Sequence, residues 1–274
     1  SIYGNTNISI ENLSYDSREI RKNSIFFAIK GEIYNGLDYI NESIKKGAIA
    51  VLCDSIPIKI DKRIVYVIVE NVEIALGIIS SNFYDNPSSK MKLVGVTGTN
   101  GKTTSTTLLY KLFKDHDFPV GLISTISINY NNKVFKTNHT TPDPITINSF
   151  LKSMIDEGVS YCFMEVSSHG ISQNRTSGLE FYGAVFTNIS HDHLDYHKNF
   201  KNYRDTKKSF FDNLSRDAFA LTNIDDKNGL FMLQNTKAKK YTLSIKKHAD
   251  FNLKVLENMF SGMLLIFENN EFWT

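Results

Sequence analysis

The segment from residue 93 to residue 115 places a short apolar run, a glycine-containing turn and an amphipathic stretch in direct succession. The apolar run predicts a buried strand and the residues after Lys102 predict a helix, so the turn joins a strand to a helix N-terminus. Backbone N–H groups of such a turn converge on one point, the helix dipole adds partial positive charge, and Lys102 adds a full charge. The segment therefore predicts a phosphate site, with a threonine hydroxyl available to magnesium.

The turn differs from the strict P-loop pattern at one position. Val96 stands five residues before Gly101, where that pattern has a glycine. The alternative interpretation is an ordinary glycine-rich turn between a strand and a helix that begins with lysine.

Apolar runs and turns alternate along the whole chain. Residues 92–223 repeat strand, polar loop and helix, which predicts a parallel, doubly wound sheet with its ligand at the carboxyl ends of the strands. We therefore expect an α/β protein: a small N-terminal α/β domain (residues 1–88), then a P-loop-type central domain with a mostly parallel sheet (residues 89–274). Residues 86–90 are the expected linker, and residues 262–274 are expected to form a hairpin around Glu268-Asn269-Asn270.

Charge and composition exclude several classes of partner. The 31 basic and 29 acidic residues give a net charge of +2, which provides no general attraction to nucleic acid or anionic lipid. No apolar stretch reaches the roughly 20 residues of a membrane span, and a secretory pattern is not seen at the N-terminus. We expect a cytoplasmic monomer with no nucleic-acid or membrane partner. Cys53 and Cys162 are expected to be reduced core thiols, with a disulfide as the alternative.

Two further predicted strands end in polar side chains. Glu165 directly follows an apolar run, so its carboxylate suits a hard cation such as magnesium; a helix cap or a surface carboxylate is the alternative. A second cluster allows magnesium ligands, a zinc site or a polar loop, and comprises His191, Asp192, His193, Asp195 and His197. Ser167, Ser168 and His169 also allow a hydrolase nucleophile and base, although Gly-x-Ser-x-Gly is absent.

Together these segments resemble the Mur ligase family, the ATP-dependent enzymes that add amino acids to the growing peptidoglycan stem. The resemblance is to the MurE type, which joins a diamino acid to UDP-N-acetylmuramoyl-L-alanyl-D-glutamate. It is carried, in the family's order, by Asp16-Ser17-Arg18, residues 95–104, Thr140-Thr141-Pro142-Asp143, residues 165–170, Gln173 with Arg175, residues 188–197, and residues 203–211 around Lys207.

The resemblance also implies roles for individual residues. ATP phosphates are expected at Gly98, Thr99, Asn100, Gly101, Lys102, Thr103 and Thr104, and magnesium at Thr103 or Thr104, Glu165, His193 and a carbamylated Lys207. The uridine nucleotide is expected at Ser17, Glu32, Ile33 and Tyr34, and the muramoyl peptide at Thr140, Thr141, Ser167, Gln173 and Arg175. The expected catalytic residues are Lys102, Glu165, His193 and Lys207.

The implied activity is ATP-dependent amide formation through an acyl phosphate. The implied substrates are a UDP-muramoyl dipeptide and a diamino acid, either meso-diaminopimelate or L-lysine. Family members carry a C-terminal amino-acid-binding domain that is absent from residues 1–274, so we expect this chain to be inactive alone. The alternatives are another ligase of the superfamily, such as folylpolyglutamate synthetase, and a non-catalytic nucleotide-binding fragment.

Lys207 and Arg175 are basic residues for which a solvated side chain is the alternative to a functional role. Helical spacing puts Tyr203, Lys207, Phe210 and Phe211 on one side of a helix, which carries Lys207 inward and leaves Lys208 facing water. An ordinary solvated lysine is the alternative for Lys207. The planar guanidinium of Arg175 suits a carboxylate of the peptide, with a surface arginine as the alternative.

Overall fold

The computed structural model describes residues 1–31, 34–259 and 262–269. By their internal contacts these residues form two compact units. The first unit comprises Ser1–Asp85, Asp143–Ser149 and Asn174–Gly178, and the second comprises the remaining described residues. Because the first unit takes in two later segments, the simple division at residue 88 stays a prediction, as does the ligand expected for each domain.

The first unit is built on a five-stranded sheet in the spatial order β1-β5-β4-β3-β2. Its strands are β1 (Ile2–Tyr3), β2 (Asn12–Ser14), β3 (Ser24–Phe27), β4 (Ala48–Cys53) and β5 (Val65–Ile68). Strands β2 to β5 are parallel neighbours, and β1 is antiparallel to β5. The helices of this segment are α1 (Ile40–Lys46) and α2 (Val72–Phe83).

Strand β4 sends alternate side chains to two apolar cores. Val51 packs in one cluster with Ile40 of α1, whereas Leu52 packs in the other with Leu76 of α2. Alternation with period two, apolar on both sides, is what a strand covered on both faces requires. The two helices therefore cover opposite faces of this small sheet.

The second unit is built on a larger sheet, whose described strands follow the order β15-β14-β13-β12-β11-β6-β10-β7-β8-β9. They are β6 (Lys92–Thr97), β7 (Val120–Ile123), β8 (Ser127–Tyr130), β9 (Lys133–Lys136), β10 (Tyr161–Glu165), β11 (Gly183–Phe186), β12 (Phe219–Asn223), β13 (Lys239–Ser244), β14 (Phe251–Met259) and β15 (Gly262–Asn269). Neighbours from β14 through β7 are parallel, and β8, β9 and β15 pair antiparallel. The predicted α/β fold class with a mostly parallel sheet is confirmed.

The remaining helices connect these strands. They are α3 (Lys102–Asp115), α4 (Pro144–Asp156), α5 (Ser168–Ser172), α6 (Leu194–His197), α7 (Phe200–Asp212) and α8 (Gly229–Met232). Helix α3 packs on the sheet through Tyr110, which lies in one apolar cluster with Val94, Leu122 and Phe163. In the described part of the chain, no helix is long and apolar enough to cross a bilayer.

Several local expectations can be compared with the structure. Asp143 caps α4 by accepting a 3.0 Å hydrogen bond from Thr146 N–H, and Cys53 and Cys162 are buried free thiols, both as predicted. Of the segment predicted to form a hairpin around Glu268-Asn269-Asn270, Gly262–Asn269 form β15, which pairs with β14, and residues 270–274 lie outside the described residues. The expected linker is ordered as a short 3-10 helix, Pro87–Lys90, whose Ser88 hydroxyl accepts from Glu180 N–H at 3.0 Å.

Candidate functional site

The glycine-containing turn joins β6 to α3 at the carboxyl edge of the sheet, as predicted. Gly101 adopts φ +87°, a left-handed conformation that favours glycine, immediately before the first residue of α3. The first helical hydrogen bond runs from Ser105 N–H to Gly101 O at 2.9 Å. The N–H groups of residues 101–104 therefore lie outside the helix ladder, which makes them available to an anion.

Lys102 bends back over the turn. Its Nζ donates to the carbonyl oxygens of Gly98 at 3.0 Å and Thr99 at 2.9 Å. Burial lowers the pKa of Lys102, while the negative charges of Glu165 and Asp192 oppose that shift. The ammonium group therefore lies over the loop as the charge of a phosphate site should, held by carbonyl oxygens that an anion could replace.

Glu165 ends β10 next to the turn and is fully buried. Its carboxylate accepts hydrogen bonds from Thr103 Oγ1 at 3.0 Å, from Thr125 N–H at 2.8 Å and from Thr125 Oγ1 at 3.0 Å. Thr104 is exposed, so Thr103 is the threonine that faces the carboxylate. A buried carboxylate needs such donors, and in the described residues no basic side chain forms an ion pair with it.

Thr125 was not singled out from the sequence. It follows β7, and its hydroxyl also lies 3.1 Å from Thr140 Oγ1. Because a carboxylate only accepts, the Thr125 hydroxyl must donate to Glu165 and receive from Thr140. The structure thus links the predicted metal ligand Glu165 to the predicted substrate residue Thr140. No local pattern around Thr125 indicated this contact, since it joins the ends of two strands that are distant in sequence.

Lys207 points into the unit from α7, as helical spacing predicted, and only 1% of its surface is exposed. Its Nζ donates to Gly98 O at 2.8 Å and lies 4.7 Å from the ring centre of Tyr203. Burial, together with the nearby charge of Lys102, lowers the pKa of Lys207 to about 7. Near pH 7 the Lys207 side chain is therefore a neutral amine in a substantial fraction of the molecules.

The prediction that Lys208 faces water is wrong. This lysine is 6% exposed, and its Nζ pairs with both carboxylate oxygens of Asp212 at 2.6 and 2.7 Å. It also lies 5.5 Å from the ring centre of Phe231, in α8. The ion pair one helical turn away and the aromatic ring from another helix allow its burial, and only the ion pair could be anticipated from spacing.

The histidines cluster near α5, α6 and α7. The ring centre of His169 lies 4.9 Å from that of His193, and 5.7 Å from that of the buried His197. Burial lowers the pKa of His197, and the neighbouring basic groups act in the same direction. Among the described residues no group of three or more His, Cys, Asp or Glu side chains could hold a metal ion.

Two predicted peptide-binding residues of the second unit, Thr141 and Ser167, lie close to Glu165. Thr141 is fully buried, and its hydroxyl lies 3.0 Å from Glu165 O and 3.1 Å from Ser167 Oγ. Ser167 caps α5 by accepting from Gly170 N–H at 3.0 Å. Gln173 reaches Tyr196 Oη at 3.4 Å. Thr141 and Ser167 thus have structural roles in this geometry, and their contacts with a substrate stay predictions.

The other predicted substrate residues belong to the first unit. Ser17 is buried in a short 3-10 helix, and its carbonyl oxygen accepts from Lys46 Nζ at 3.1 Å. Tyr34 is exposed, whereas Glu32 and Ile33 lie outside the described residues. Arg175 lies close enough to Tyr15 to oppose the rise of that tyrosine's pKa to about 12, which burial and the charge of Asp143 produce. The uridine and peptide contacts of these residues stay predictions.

The side chains and N–H groups around the loop match the ligands that magnesium and nucleotide phosphates require. Magnesium in nucleotide sites typically uses one or two carboxylates, a hydroxyl, waters and the phosphates themselves, rather than a complete protein cage. One buried carboxylate beside Thr103, with Lys102 and the N–H groups of residues 101–104, fits that requirement. Such a strand, loop and helix with lysine at the helix start define an α/β protein of the P-loop type.

Comparison with known proteins identifies the family. Residues 96–272 match the family called "Mur ligase middle domain". Residues 9–88 match the family called "Mur ligase family, catalytic domain". The chain belongs to the Mur ligase family. The UDP-N-acetylmuramoyl-L-alanyl-D-glutamate--2,6-diaminopimelate ligase of Bacteroides fragilis is 50% identical over 270 residues, covering 98% of this chain and 56% of that protein. The chain thus spans about half the length of the curated relatives it matches.

Solved structures share the fold. A UDP-N-acetylmuramoyl-L-alanyl-D-glutamate--2,6-diaminopimelate ligase superposes with TM-score 0.84 at 24% identity, covering 97% of this chain and 55% of that one. The MurF ligase of Thermotoga maritima in complex with ADP superposes with TM-score 0.61 at 20% identity, covering 96% of this chain and 57% of that one. FolC of E. coli in complex with DHPP and ADP superposes with TM-score 0.53 at 16% identity, covering only 74% of this chain and 51% of that one. The likeness therefore extends further along the chain for the Mur ligases.

Proposed function

We propose that this chain is the substrate- and ATP-binding part of an ATP-dependent ligase that joins diaminopimelate to UDP-N-acetylmuramoyl-L-alanyl-D-glutamate in peptidoglycan synthesis. The observation that carries the proposal is the 50% identity to the Bacteroides fragilis ligase over nearly the whole chain. The proposal is also supported by the position of Lys102, Glu165 and Lys207, which lie beside one loop where they could bind phosphates and magnesium. Diaminopimelate is preferred to L-lysine because the similar relatives carry that substrate in their names.

The proposed reaction has two steps. The free carboxylate of the D-glutamyl residue attacks the γ-phosphorus of ATP, forming an acyl phosphate and releasing ADP. An amino group of diaminopimelate then attacks the acyl carbon, and phosphate leaves as the amide bond forms. Both steps develop negative charge on oxygen, which preorganised positive groups stabilise better than water does.

Each proposed catalytic residue has a role in this scheme. Lys102 and the N–H groups of residues 101–104 hold the phosphates, and Gly98, Thr99, Asn100 and Gly101 shape the loop around them. Glu165, Thr103 and His193 would hold magnesium, which when bound neutralises phosphate charge. Thr104 is the less suitable of the two threonines because it is exposed.

We further propose that Lys207 is carbamylated in the active enzyme. Addition of CO₂ requires a neutral amine, and the pKa of about 7 supplies one at physiological pH. The product carries an anionic oxygen group at the end of a long arm, a type of ligand that magnesium accepts. The buried position of Lys207 and its approach to Gly98 O support this assignment over a solvated lysine.

The uridine nucleotide is proposed to bind the first unit, at Ser17 and the loop of Glu32, Ile33 and Tyr34. The muramoyl peptide is proposed to bind Thr140, Thr141, Ser167, Gln173 and Arg175. We propose a cytoplasmic location and a monomeric state, with the nucleotide peptide and the diamino acid as the partners of the full-length enzyme.

The test is substrate-dependent phosphate release by the full-length protein. ADP and phosphate should form only when the UDP-muramoyl dipeptide, diaminopimelate and magnesium are all present, and the product should contain a new amide. Replacing diaminopimelate with L-lysine should reduce the rate strongly. Release that depends instead on a folate and glutamate would support the folylpolyglutamate alternative, and release in no combination would support a non-catalytic nucleotide-binding protein.

A further inference from the structure

The side chain of Asn188 pairs with the backbone of Asn100 as a neighbouring strand would. Asn188 Oδ1 accepts from Asn100 N–H at 3.0 Å, and Asn188 Nδ2 donates to Asn100 O at 3.1 Å. The amide side chain thus satisfies both backbone groups of the residue at the tip of the glycine-containing turn. Asn188 follows β11, which is the direct neighbour of β6 in the sheet.

Further hydrogen bonds join the same two segments. Thr99 N–H donates to Asn188 O at 2.8 Å, Thr187 Oγ1 donates to Asn100 O at 2.7 Å, and Ser190 N–H donates to Thr99 Oγ1 at 3.0 Å. Gly98 allows this approach, since a Cβ there would collide with Thr187 Oγ1. The turn is therefore held against the residues after β11 at two successive positions, Thr99 and Asn100.

These contacts decide which N–H groups of the loop an anion can use. The N–H groups of Thr99 and Asn100 both donate to oxygens of Asn188 and are therefore already occupied. The donors left for a phosphate are those of residues 101–104, with Lys102 beside them.

We propose that Asn188 is a positioning residue for the phosphate loop, fixing the loop in the shape that presents residues 101–104 to a nucleotide phosphate. The proposal rests on the proposed nucleotide-binding function and adds to it a residue that touches no ligand. It also assigns the amides of Thr99 and Asn100 to loop structure rather than to phosphate binding. His193, a proposed metal ligand, lies five residues after Asn188. The pairing of Asn188 with Asn100 therefore also holds the segment that carries His193 against the loop.

The chain contains a matched control for an asparagine that pairs with backbone. Asn252, the second residue of β14, accepts from Ala249 N–H at 3.2 Å and donates to Lys247 O at 2.5 Å, two residues that precede the strand. Asn252→Ala removes the same two kinds of hydrogen bond without touching the loop. Asn188→Asp provides a second test variant of unchanged size, in which a carboxylate oxygen replaces the group that donates to Asn100 O.

The experiment measures two properties of residues 1–274 and of each variant. The first is hydrogen–deuterium exchange of the Thr99 and Asn100 amides, with Val94 in β6 as an internal reference. The second is the Kd for ADP with magnesium, measured by calorimetry. Asn188→Ala should speed exchange of the Asn100 amide about tenfold relative to Val94, because it removes the Oδ1 that accepts from that amide, and should raise the Kd about tenfold.

Asn188→Asp should also raise the Kd, since it adds negative charge beside the phosphate position, while Asn252→Ala should leave both measurements unchanged. Unchanged exchange of the Asn100 amide in Asn188→Ala, or an unchanged Kd in both Asn188 variants, would overturn the proposal. A Kd that changes equally in Asn252→Ala would also overturn it. If the unmodified chain binds no ADP, the proposed nucleotide function of residues 1–274 fails, while the exchange measurement still decides whether Asn188 fixes the loop.

Discussion

Lys207 Nζ donates a 2.8 Å hydrogen bond to the carbonyl oxygen of Gly98, a residue 109 positions earlier in the chain. The same oxygen accepts from Lys102 Nζ at 3.0 Å. Two basic side chains, one from α3 and one from α7, therefore share one acceptor beside the phosphate loop. Their mutual repulsion and the burial of Lys207 together favour the neutral form of Lys207.

The depressed pKa of Lys207 predicts a pH-dependent stability. A folded pKa of about 7 lies below the roughly 10.4 of an unfolded lysine, so between these values the unfolded chain binds more protons and the free energy of unfolding rises with pH. The cost of burying the charge is complete below pH 7 and is relieved toward pH 10. In buffer depleted of CO₂, Lys207→Met should remove a slope of up to about 1.4 kcal/mol per pH unit.

Urea unfolding between pH 7 and 10 measures this slope as the difference between variant and parent. Lys201→Met is the matched control, because Lys201 is on the same helix, exposed and paired with Asp205. Its difference from the parent should stay nearly constant over this pH range. A constant difference for Lys207→Met would contradict the assigned pKa.

Carbamylation of Lys207 predicts chemical rescue. In the full-length protein, Lys207→Ala should lose most ligase activity, and short-chain carboxylates such as acetate or propionate should restore part of it by supplying an oxygen ligand. The rates with and without added carboxylate give the measurement, with Lys102→Ala as a variant that these anions should not rescue. Full activity of Lys207→Ala without any added carboxylate would refute the modification as a requirement.

Arg175 is predicted to recognise an anionic group of the muramoyl peptide. Lysine cannot reproduce the two parallel hydrogen bonds of a guanidinium with a carboxylate. In the full-length protein, Arg175→Lys should raise the KM for the UDP-muramoyl dipeptide about tenfold and leave the KM for ATP nearly unchanged. Steady-state kinetics with each substrate varied in turn measures both constants, and an equal loss for both would count against the assignment.

Gly77 is predicted to be intolerant of a side chain. A Cβ at this position would collide with the carbonyl oxygen of Ser177, which packs against α2. Nearby, Asn174 Nδ2 donates to Glu73 at 3.2 Å, so α2 supports the segment that carries Arg175. Gly77→Ala should therefore lower the free energy of unfolding by about 1–3 kcal/mol, as overpacking usually does, despite the better helix propensity of alanine.

Gly158→Ala serves as the comparison, because its φ of +80° strains alanine although nothing lies near the added Cβ. The comparison separates backbone strain from collision. Denaturant unfolding of the two variants gives the measurement. A stability of Gly77→Ala equal to that of the parent would show that the segment at Ser177 can move away at no cost.

The parts of the site that depend on local pattern could be predicted from the sequence. The apolar run before Gly98 and the amphipathic stretch after Lys102 gave the strand, the loop and the helix, since each is determined mainly by its own residues. The inward direction of Lys207 followed from the spacing of Tyr203, Phe210 and Phe211 on one helix, and the structure buries all of them. Parallel alternation predicted that Glu165 would lie near the loop.

The contacts between segments distant in sequence could not be predicted in this way. Thr125 donates to Glu165, and Asn188 pairs with Asn100, because neighbouring strands of the sheet end side by side. Neither residue has a local pattern that indicates its partner. Lys208 was misplaced for the same reason, since Phe231 comes from a different helix. Long-range strand order and helix packing decide these contacts, and periodicity carries no information about them.

The most direct test of the central claim is the binding of ATP to residues 1–274, measured by calorimetry with a non-hydrolysable analogue. We expect one site per chain that requires magnesium. Lys102→Ala should weaken binding at least tenfold while the circular dichroism spectrum stays unchanged, because Lys102 supplies charge at the loop rather than packing. Lys111→Ala, on the exposed side of the same helix, should bind like the parent. Binding that survives Lys102→Ala, or no binding by the parent chain, would contradict the account.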